Sequence, residues 1–539
     1  MKTKTIIAIL LLALTGYFYS CTGMELESQT VENEKIATRT MGFPETSRFY
    51  YYYGNERQYL QLNTRYMFVS VADESIADVL ASRNIRHQPL SVDIPAEMQQ
   101  STMSQAAVGS RTRLYTVLSL DEAMSEEAYL TKLSEISNLS SGIIVAPYFK
   151  NRYFDRIGLS NFFYVKLRSL NDIDLLKQKA EEKQATLIYQ NELAPLWWVL
   201  SVTENSTYNA MEMANHFHRS GLFRYAAPDL MVANIDFLTQ QRELGNTELF
   251  GATNNQPNCA NDQHFGVQWG LKNTGQSGGR SGVDINICNA WQLSTGHNVI
   301  VAVVDNGLDF DNPHPDLREN ILFNLSFDTE SGTSPQRLPP PRAGYIAPGS
   351  HGTSVAGIIA AVKNNDIGIA GVAPHSRIMS ISNALRDDIP LTHQRKANGI
   401  RWAAQNGADV INNSWFATST PVITDAINYA VTRGRNGRGS VVIVASGNVN
   451  SSTVNFPSSL PTVMAVGAVN RYGQRWHSIH SNIVGSNFGT ALDIVAPGVT
   501  VRSTAIGGGY RDITNTSHAA PHVAGVAALI LKFERARSS

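Results

Sequence analysis

The chain has 539 residues, with 44 basic against 45 acidic side chains and an aromatic fraction of 9%. No global field argues for nucleic acid or an acidic substrate, and no basic stripe interleaves with aromatics. The length gives room for roughly three or four domains, each with a core of its own.

The chain opens as an export signal: Lys2 and Lys4, an apolar run from Ile6 to about Phe18, then Ser20 and Cys21. The run falls short of the roughly 20 apolar residues that span a bilayer and fits a signal core. A small residue followed by cysteine resembles a bacterial lipoprotein signal, which makes Cys21 the acylated first residue of the mature chain. A conventional cleavage nearby is the other reading. Residues 1–21 are therefore expected to be a signal segment, and 22–47 a polar linker. The protein is expected to be exported, either held at the cell envelope or surface of a bacterium by that lipid or secreted. A lipid at Cys21 is the one membrane contact expected.

Residues 48–156 read as an N-terminal α+β module. FYYYYGNERQYLQL gives two alternating aromatic runs about a Gly54-Asn55 turn, a hairpin. β-rich runs at Tyr66–Val71, Leu114–Leu118 and Gly142–Tyr148 accompany a helical pattern near Glu126–Ile136. Between 160 and 232 the order is strand (FFYVKLR), helix (Asp172–Lys183), strand (ATLIYQ), strand (LWWVLSV), helix (Thr207–Arg219) and strand (FRYAAPDLMV). That β-α-β-β-α-β order is the ferredoxin-like arrangement. Residues 233–260 are polar and lack an apolar period, so they read as a linker, the place where cleavage is expected. Cys259 and Cys288 flank the start of the next domain, and read either as a disulfide pair or as two separately buried thiols.

From 261 to 539 the pattern is that of an α/β domain. Val299–Val304 is a strand buried on both faces and ends at Asp305. His351 opens a helix whose Val355, Ile358, Ile359 and Val362 recur at helical spacing, and VVIVA leads a second strand towards Asn448. Ser517 precedes a helix with Val523, Val526, Ala527 and Ile530 directed inward and Pro521 in its first turn. A serine hydroxyl becomes a nucleophile when a histidine takes its proton, and the histidine needs a carboxylate to fix its tautomer. Asp305, His351 and Ser517 supply that set, and the Asn448 amide could donate to an oxyanion.

The blocks DNGLD, HGTSVAG, SGN and NTSHAAP resemble the four active-site blocks of the subtilisin family of serine peptidases. The resemblance implies a doubly wound, mostly parallel sheet with all four residues along its carboxyl edge. It also implies that the ferredoxin-like segment is a propeptide that folds and inhibits the enzyme. The opening NDQHFGVQWGLKNTGQ is similar to the kexin and thermitase branches. Their calcium site carries over to Asp262, Asp316 and Asn365, with the carbonyls of Val362, Ile367 and Ile369. A polypeptide substrate would add as a strand to Asn412–Phe416, including Ser414 and Trp415, and to Ala445–Gly447, including Ser446 and Gly447. No carboxylate follows these blocks, so the expected side-chain pocket is broad or apolar rather than dibasic.

Family members continue past the serine helix, whereas here the sequence ends at LKFERARSS, so a short catalytic domain is expected. Two competing functions follow. One is a catalytically silent, surface-anchored binding protein on the same scaffold, or a truncated fragment. The other is an esterase, which the absence of a GxSxG elbow around Ser517 disfavours.

Overall fold

The computed structural model describes residues 48–72, 80, 87–92, 113–232, 259–334, 348–383, 389–479 and 481–538. The signal segment, Cys21, the linker at 22–47 and almost all of the 233–260 linker lie outside the described residues. Among the described residues no helix is long and apolar enough to cross a membrane.

Strands β1 (Phe49–Tyr53) and β2 (Glu56–Val71) form the expected hairpin, with Tyr53 opposite Glu56 across Gly54 and Asn55. β2 runs on through the Tyr66–Val71 stretch, one strand where the sequence suggested two runs. β3 (Ser91–Val92), β4 (Leu114–Ser119), helix α1 (Glu126–Ser137) and β5 (Ile144–Lys150) follow. Ser125 caps α1 by accepting from the Ala128 N–H.

The next six elements are β6 (Ile157–Lys166), α2 (Ile173–Glu182), β7 (Ala185–Gln190), β8 (Trp197–Val202), α3 (Ala210–Arg219) and β9 (Tyr225–Val232). Their strands lie in the antiparallel order β9-β6-β8-β7. The last strand thus returns beside the first, as in a ferredoxin-like unit. β6 also pairs with β5, so the two N-terminal segments share one nine-stranded sheet. Alternation along its strands gives that sheet two apolar faces. Phe163, Val165, Leu200 and Val202 pack with Leu176, Ala214 and Phe217 of α2 and α3. Phe162, Tyr164, Trp197 and Val199 point the other way and join the core of the following domain.

That domain begins with α4 (Ile287–Leu293) and is built on a seven-stranded parallel sheet. Its strands are β10 (Ile300–Asp305), β11 (Phe327–Asp328), β12 (Arg377–Ser382), β13 (Val410–Asn413), β14 (Val441–Ala445), β15 (Met464–Val469) and β16 (Ile494–Pro497). They are ordered β11-β12-β10-β13-β14-β15-β16. α5 (Ser350–Ala360) and α8 (Thr516–Ser538) share a core with Val301, Val303, Val410 and Ile443. α6 (Thr392–Gln405) and α7 (Pro421–Gly437) share theirs with Ala302, Val304, Ile411 and Val442 on the opposite face. Helices on both faces bury every central strand, which is why these read as unbroken apolar runs. A hairpin of β17 (Val501–Thr504) and β18 (Tyr510–Ile513) leads into α8.

From β10 the chain adds β12 on one side and later β13 on the other. The carboxyl ends of β10 and β13 therefore flank the switch in strand order, where doubly wound sheets place ligands. α5 stops at Ala360, so Val362 lies beyond it, in the loop that follows. α8 begins at Thr516, which puts Ser517 inside its first turn rather than ahead of it. On α8 Val523, Ala527 and Ile530 are buried, while Val526 is half-buried. Cys259 and Cys288 form a disulfide across the domain's opening loop.

Candidate active site

Asp305 is the last residue of β10 and is fully buried. Its Oδ1 lies 2.7 Å from His351 Nδ1 and also accepts the Asn306 N–H at 2.8 Å. That contact assigns the Nδ1 proton to the carboxylate side and leaves Nε2 as the basic nitrogen. Asn306 fixes the helix that carries the imidazole, since its Oδ1 accepts the Gly352 N–H at 2.9 Å. Residue 352 must be glycine, because a Cβ there would run into the Gly307 carbonyl oxygen.

Ser517 is held to the end of β13 by two reciprocal hydrogen bonds. Its Oγ donates to the Ser414 carbonyl at 3.1 Å, and Ser414 Oγ donates to the Ser517 carbonyl at 2.8 Å. The adjoining His518 ring lies 5.3 Å from the His351 ring, edge to face, so α5 and α8 meet at the residue next to Ser517. Asn448, three residues beyond β14, accepts from Thr516 N at 2.9 Å and Thr516 Oγ1 at 2.7 Å, both through Oδ1. With Oδ1 occupied, the amide has only N–H groups left to offer, and they sit beside the helix turn that carries Ser517. Pre-aimed donors next to a hydroxyl nucleophile are what an acyl-transfer reaction needs to stabilise an oxyanion.

The expected substrate-strand residues line the same edge. Trp415 turns inward, donating from Nε1 to the Val304 carbonyl at 2.9 Å, so only its backbone is left for pairing. Ser446 donates to the Asn487 carbonyl at 3.2 Å. Its own backbone is already engaged with Val466 and Asn455, so strand addition on this side falls to its neighbours. Gly447 has φ +107°, and a side chain there would collide with the amides of Asn487 and Asn455. Thr516, His518, Asn455 and Asn487 are site residues that sequence reasoning passed over. Thr516 and His518 stand inside NTSHAAP, whereas Asn455 and Asn487 are 32 positions apart and only the fold joins them.

A second cluster gathers Asp262, Asp316 and the loop of residues 362–369. Asp262 accepts the Asn364 N–H at 2.9 Å. Asp316 accepts from Asn365 Nδ2 at 2.8 Å, Ile369 N at 2.8 Å and Tyr510 OH at 3.2 Å. Asn365 Oδ1 in turn accepts the Ile367 N–H at 3.1 Å, and Val362 N donates to the Asp316 carbonyl at 2.8 Å. Burial pushes the Asp316 carboxyl up to about 6, and the neighbouring Asp262 charge adds to the effect. Asp262 is likewise raised, chiefly by burial. Two buried carboxylates beside an oxygen-rich loop, with the Asp262 charge adding to what burial does at Asp316, suit a hard cation such as calcium. Among the described residues no group of three or more His, Cys, Asp or Glu side chains could hold a metal, so any ion here would rely on amide and carbonyl oxygens as well.

The sequence pattern of the subtilase family (peptidase S8) matches residues 296–537. Over 242 residues the chain is 42% identical to subtilisin from Bacillus pumilus, covering 44% of this chain and 78% of that protein. The chain belongs to the subtilase family. A thermophilic serine proteinase from Bacillus sp. (strain AK1) is 38% identical over 273 residues, half of this subtilase and 59% of the relative's length. Fervidolysin from Fervidobacterium pennivorans, described as a keratinolytic enzyme related to subtilisin, superposes with a TM-score of 0.50 at 24% identity. That match covers 70% of this subtilase and 55% of fervidolysin, and it speaks to the fold alone.

Proposed function

We propose that this subtilase is an exported serine endopeptidase made as a zymogen. The observation that carries the proposal is the 2.7 Å Asp305–His351 pair at the end of β10, set against a serine in the first turn of α8. Ser517 attacks the scissile carbonyl while His351 Nε2 takes its proton, and Asp305 holds the imidazole and stabilises the imidazolium. Asn448 Nδ2 and the Ser517 N–H receive the oxyanion, the protonated His351 releases the amine, and water frees the acyl-enzyme. The substrate is an extended polypeptide laid as an added strand along residues 414–416, not the expected 412–416, because Asn412 and Asn413 lie inside β13 and are paired on both sides by β10 and β14. Phe416, Ala417, Thr418, Val449 and Asn450 bring no carboxylate to the groove, so a broad or apolar preference is favoured over a dibasic one. Calcium held by Asp262, Asp316 and Asn365 with the 362, 367 and 369 carbonyls would serve stability, not chemistry.

The zymogen reading rests on what the N-terminal sheet covers. Lys166 Nζ and Trp197 Nε1 both bond to Asp425 on α7, as does Arg401. Asp229 of β9 accepts the Leu391 N–H at the start of α6, at 2.7 Å. Beneath this contact the first turn of α6 reads Thr392, His393, Gln394, Arg395, Lys396, each no more than 4% exposed. Arg395 lies among Asp229, Tyr164 and Tyr189, yet its Nε and Nη1, like Gln394 Nε2, have no hydrogen-bond partner. Such a run is costly in a permanent interior, where each unmatched polar group costs about 1–3 kcal/mol. A helix face meant for water, covered for a time, explains it. Acylation of Cys21 belongs to the same proposal, and Cys21→Ala should release the protein from membranes.

The test is to purify wild type and Ser517→Ala, incubate both equally, and sequence their N-termini. Wild type should shorten between residues 233 and 260 while the variant stays whole. Two full-length proteins would sink the zymogen reading and favour a silent binding scaffold.

A further inference from the structure

His518 is buried beside the nucleophile, yet proton transfer as drawn above makes no use of it. Its Nδ1 contacts Asn515 Oδ1, two residues before Ser517, and its Nε2 lies 3.0 Å from Ser354 Oγ, three residues after His351 on α5. An amide oxygen only accepts, so Nδ1 carries the proton, and the ring then accepts the Ser354 hydroxyl through Nε2. This neutral tautomer agrees with the surroundings. Burial, with His351, Arg511 and His522 nearby, holds the His518 pKa well below its ordinary value. Arg511 Nη2 reaches the Ser350 carbonyl at 3.1 Å, so the cation stands behind the same turn of α5.

Each end of the imidazole therefore grips a different catalytic element. Ser354 belongs to the helix that carries the base, and its single hydroxyl hydrogen is shared between His518 Nε2 and the His351 carbonyl, 2.8 Å away. Asn515 belongs to the turn that carries the nucleophile, where its Oδ1 additionally accepts the His518 N–H at 3.1 Å. Meanwhile the face-to-edge contact with His351, at 5.3 Å, limits how far the catalytic ring can tilt.

We propose that His518 is a positioning residue: its ring is the strut between Ser354 and Asn515 that fixes the separation of the His351 base and the Ser517 nucleophile. The inference rests on the serine-peptidase reading above. Misplacing reacting groups by about 1 Å can cost on the order of a hundredfold in rate, so loosening this strut should lower turnover without touching the groove that binds substrate.

The test uses processed enzyme and a chromogenic peptide substrate. His518→Phe keeps the ring and its bulk but loses both nitrogens, and kcat should fall about ten- to a hundredfold while KM stays within about twofold. Ser354→Ala removes the other grip with no added volume, and covers the case in which the phenylalanine variant does not fold. It should lower kcat likewise, and the double variant should fall no further than the weaker single one, because both break one strut. Labelling of Ser517 by a sulfonyl fluoride should slow in parallel. Unchanged kcat in a folded variant overturns the proposal, as do additive losses or a change confined to KM or to the unfolding temperature. A wild-type chain that hydrolyses no peptide refutes the peptidase reading and this inference with it, whereas active wild type with indifferent variants refutes the strut alone.

Discussion

The calcium site proposed at Asp262, Asp316 and the loop of residues 362–369 makes a prediction whose size can be worked from the carboxylates. Asp316 stands at about 6 instead of its ordinary 3.8, with burial the main cause. Below about pH 3.8 the carboxyl is protonated in both the folded and unfolded chain and contributes no difference. As pH rises from there the unfolded chain gives up its proton while the metal-free fold retains it, so stability is lost progressively until about pH 6. The displacement corresponds to about 3 kcal/mol, present in full above that window. A bound cation reverses the penalty, since it favours the ionised form. The perturbation is therefore chelation of calcium from Ser517→Ala protein, used to suppress self-digestion, followed by thermal unfolding at pH 4.5 and pH 7.5. For a domain of this size about 3 kcal/mol is equivalent to roughly 6–12 °C. Calcium should raise the unfolding temperature by that order at pH 7.5 and by much less at pH 4.5. Asp316→Asn should unfold at higher temperature than its parent when both are metal-free at pH 7.5, and should lose the response to calcium. A calcium increment equal at both pH values, or undiminished in Asp316→Asn, would refute the reasoning.

Other outcomes follow from individual contacts. Asn448→Ala should lower kcat by about 10²–10³ with little change in KM, the size already measured for an oxyanion-hole asparagine in a subtilisin; a loss confined to KM would remove Asn448 from that role. Gly447→Ala should lower both the unfolding temperature and turnover, since the φ of +107° and the amides of Asn487 and Asn455 leave no room for a methyl group; wild-type melting and rates would contradict this. Asp425→Ala leaves Lys166, Trp197 Nε1 and Arg401 without their shared, half-buried acceptor, at a cost of about 1–3 kcal/mol. The cleaved N-terminal fragment should then part from the catalytic domain during gel filtration, and unchanged co-elution would show that this contact does not hold them.

What could be read in the sequence and what could not divides along physical lines. Asp305 and Asn448 follow strands buried on both faces, so an unbroken apolar run announces each, and the parallel α/β sheet follows from several such runs. The β-α-β-β-α-β order was visible because short apolar strand runs are separated by two segments of helical pattern. The single sheet shared by β5 and β6 was not, since pairing across a boundary leaves no local periodicity at Tyr148 or Gly158. Likewise Thr516 anchors Asn448 across 68 positions and His518 reaches Ser354 across 164. Such contacts depend on how strands and helices are brought together, which no window of sequence contains. Val362 was assigned to a helical stripe by spacing alone, whereas the chain leaves the helix at Ala360 to place that residue in the loop beside Asp262 and Asp316.

The contact between the N-terminal sheet and helices α6 and α7 is chemically lopsided, and this gives separation a direction. On one side lie Thr392 to Lys396, a stretch that water would readily hydrate. On the other lie Phe162, Tyr164, Trp197 and Val199, a stripe that water would expel. Parted, the catalytic domain would bare Leu391 and Phe416 beside a polar run, while the sheet would be left with an apolar face and, in the proposed zymogen, would become prey to the protease it had covered. Activation would then act as a ratchet, with reassociation losing to digestion.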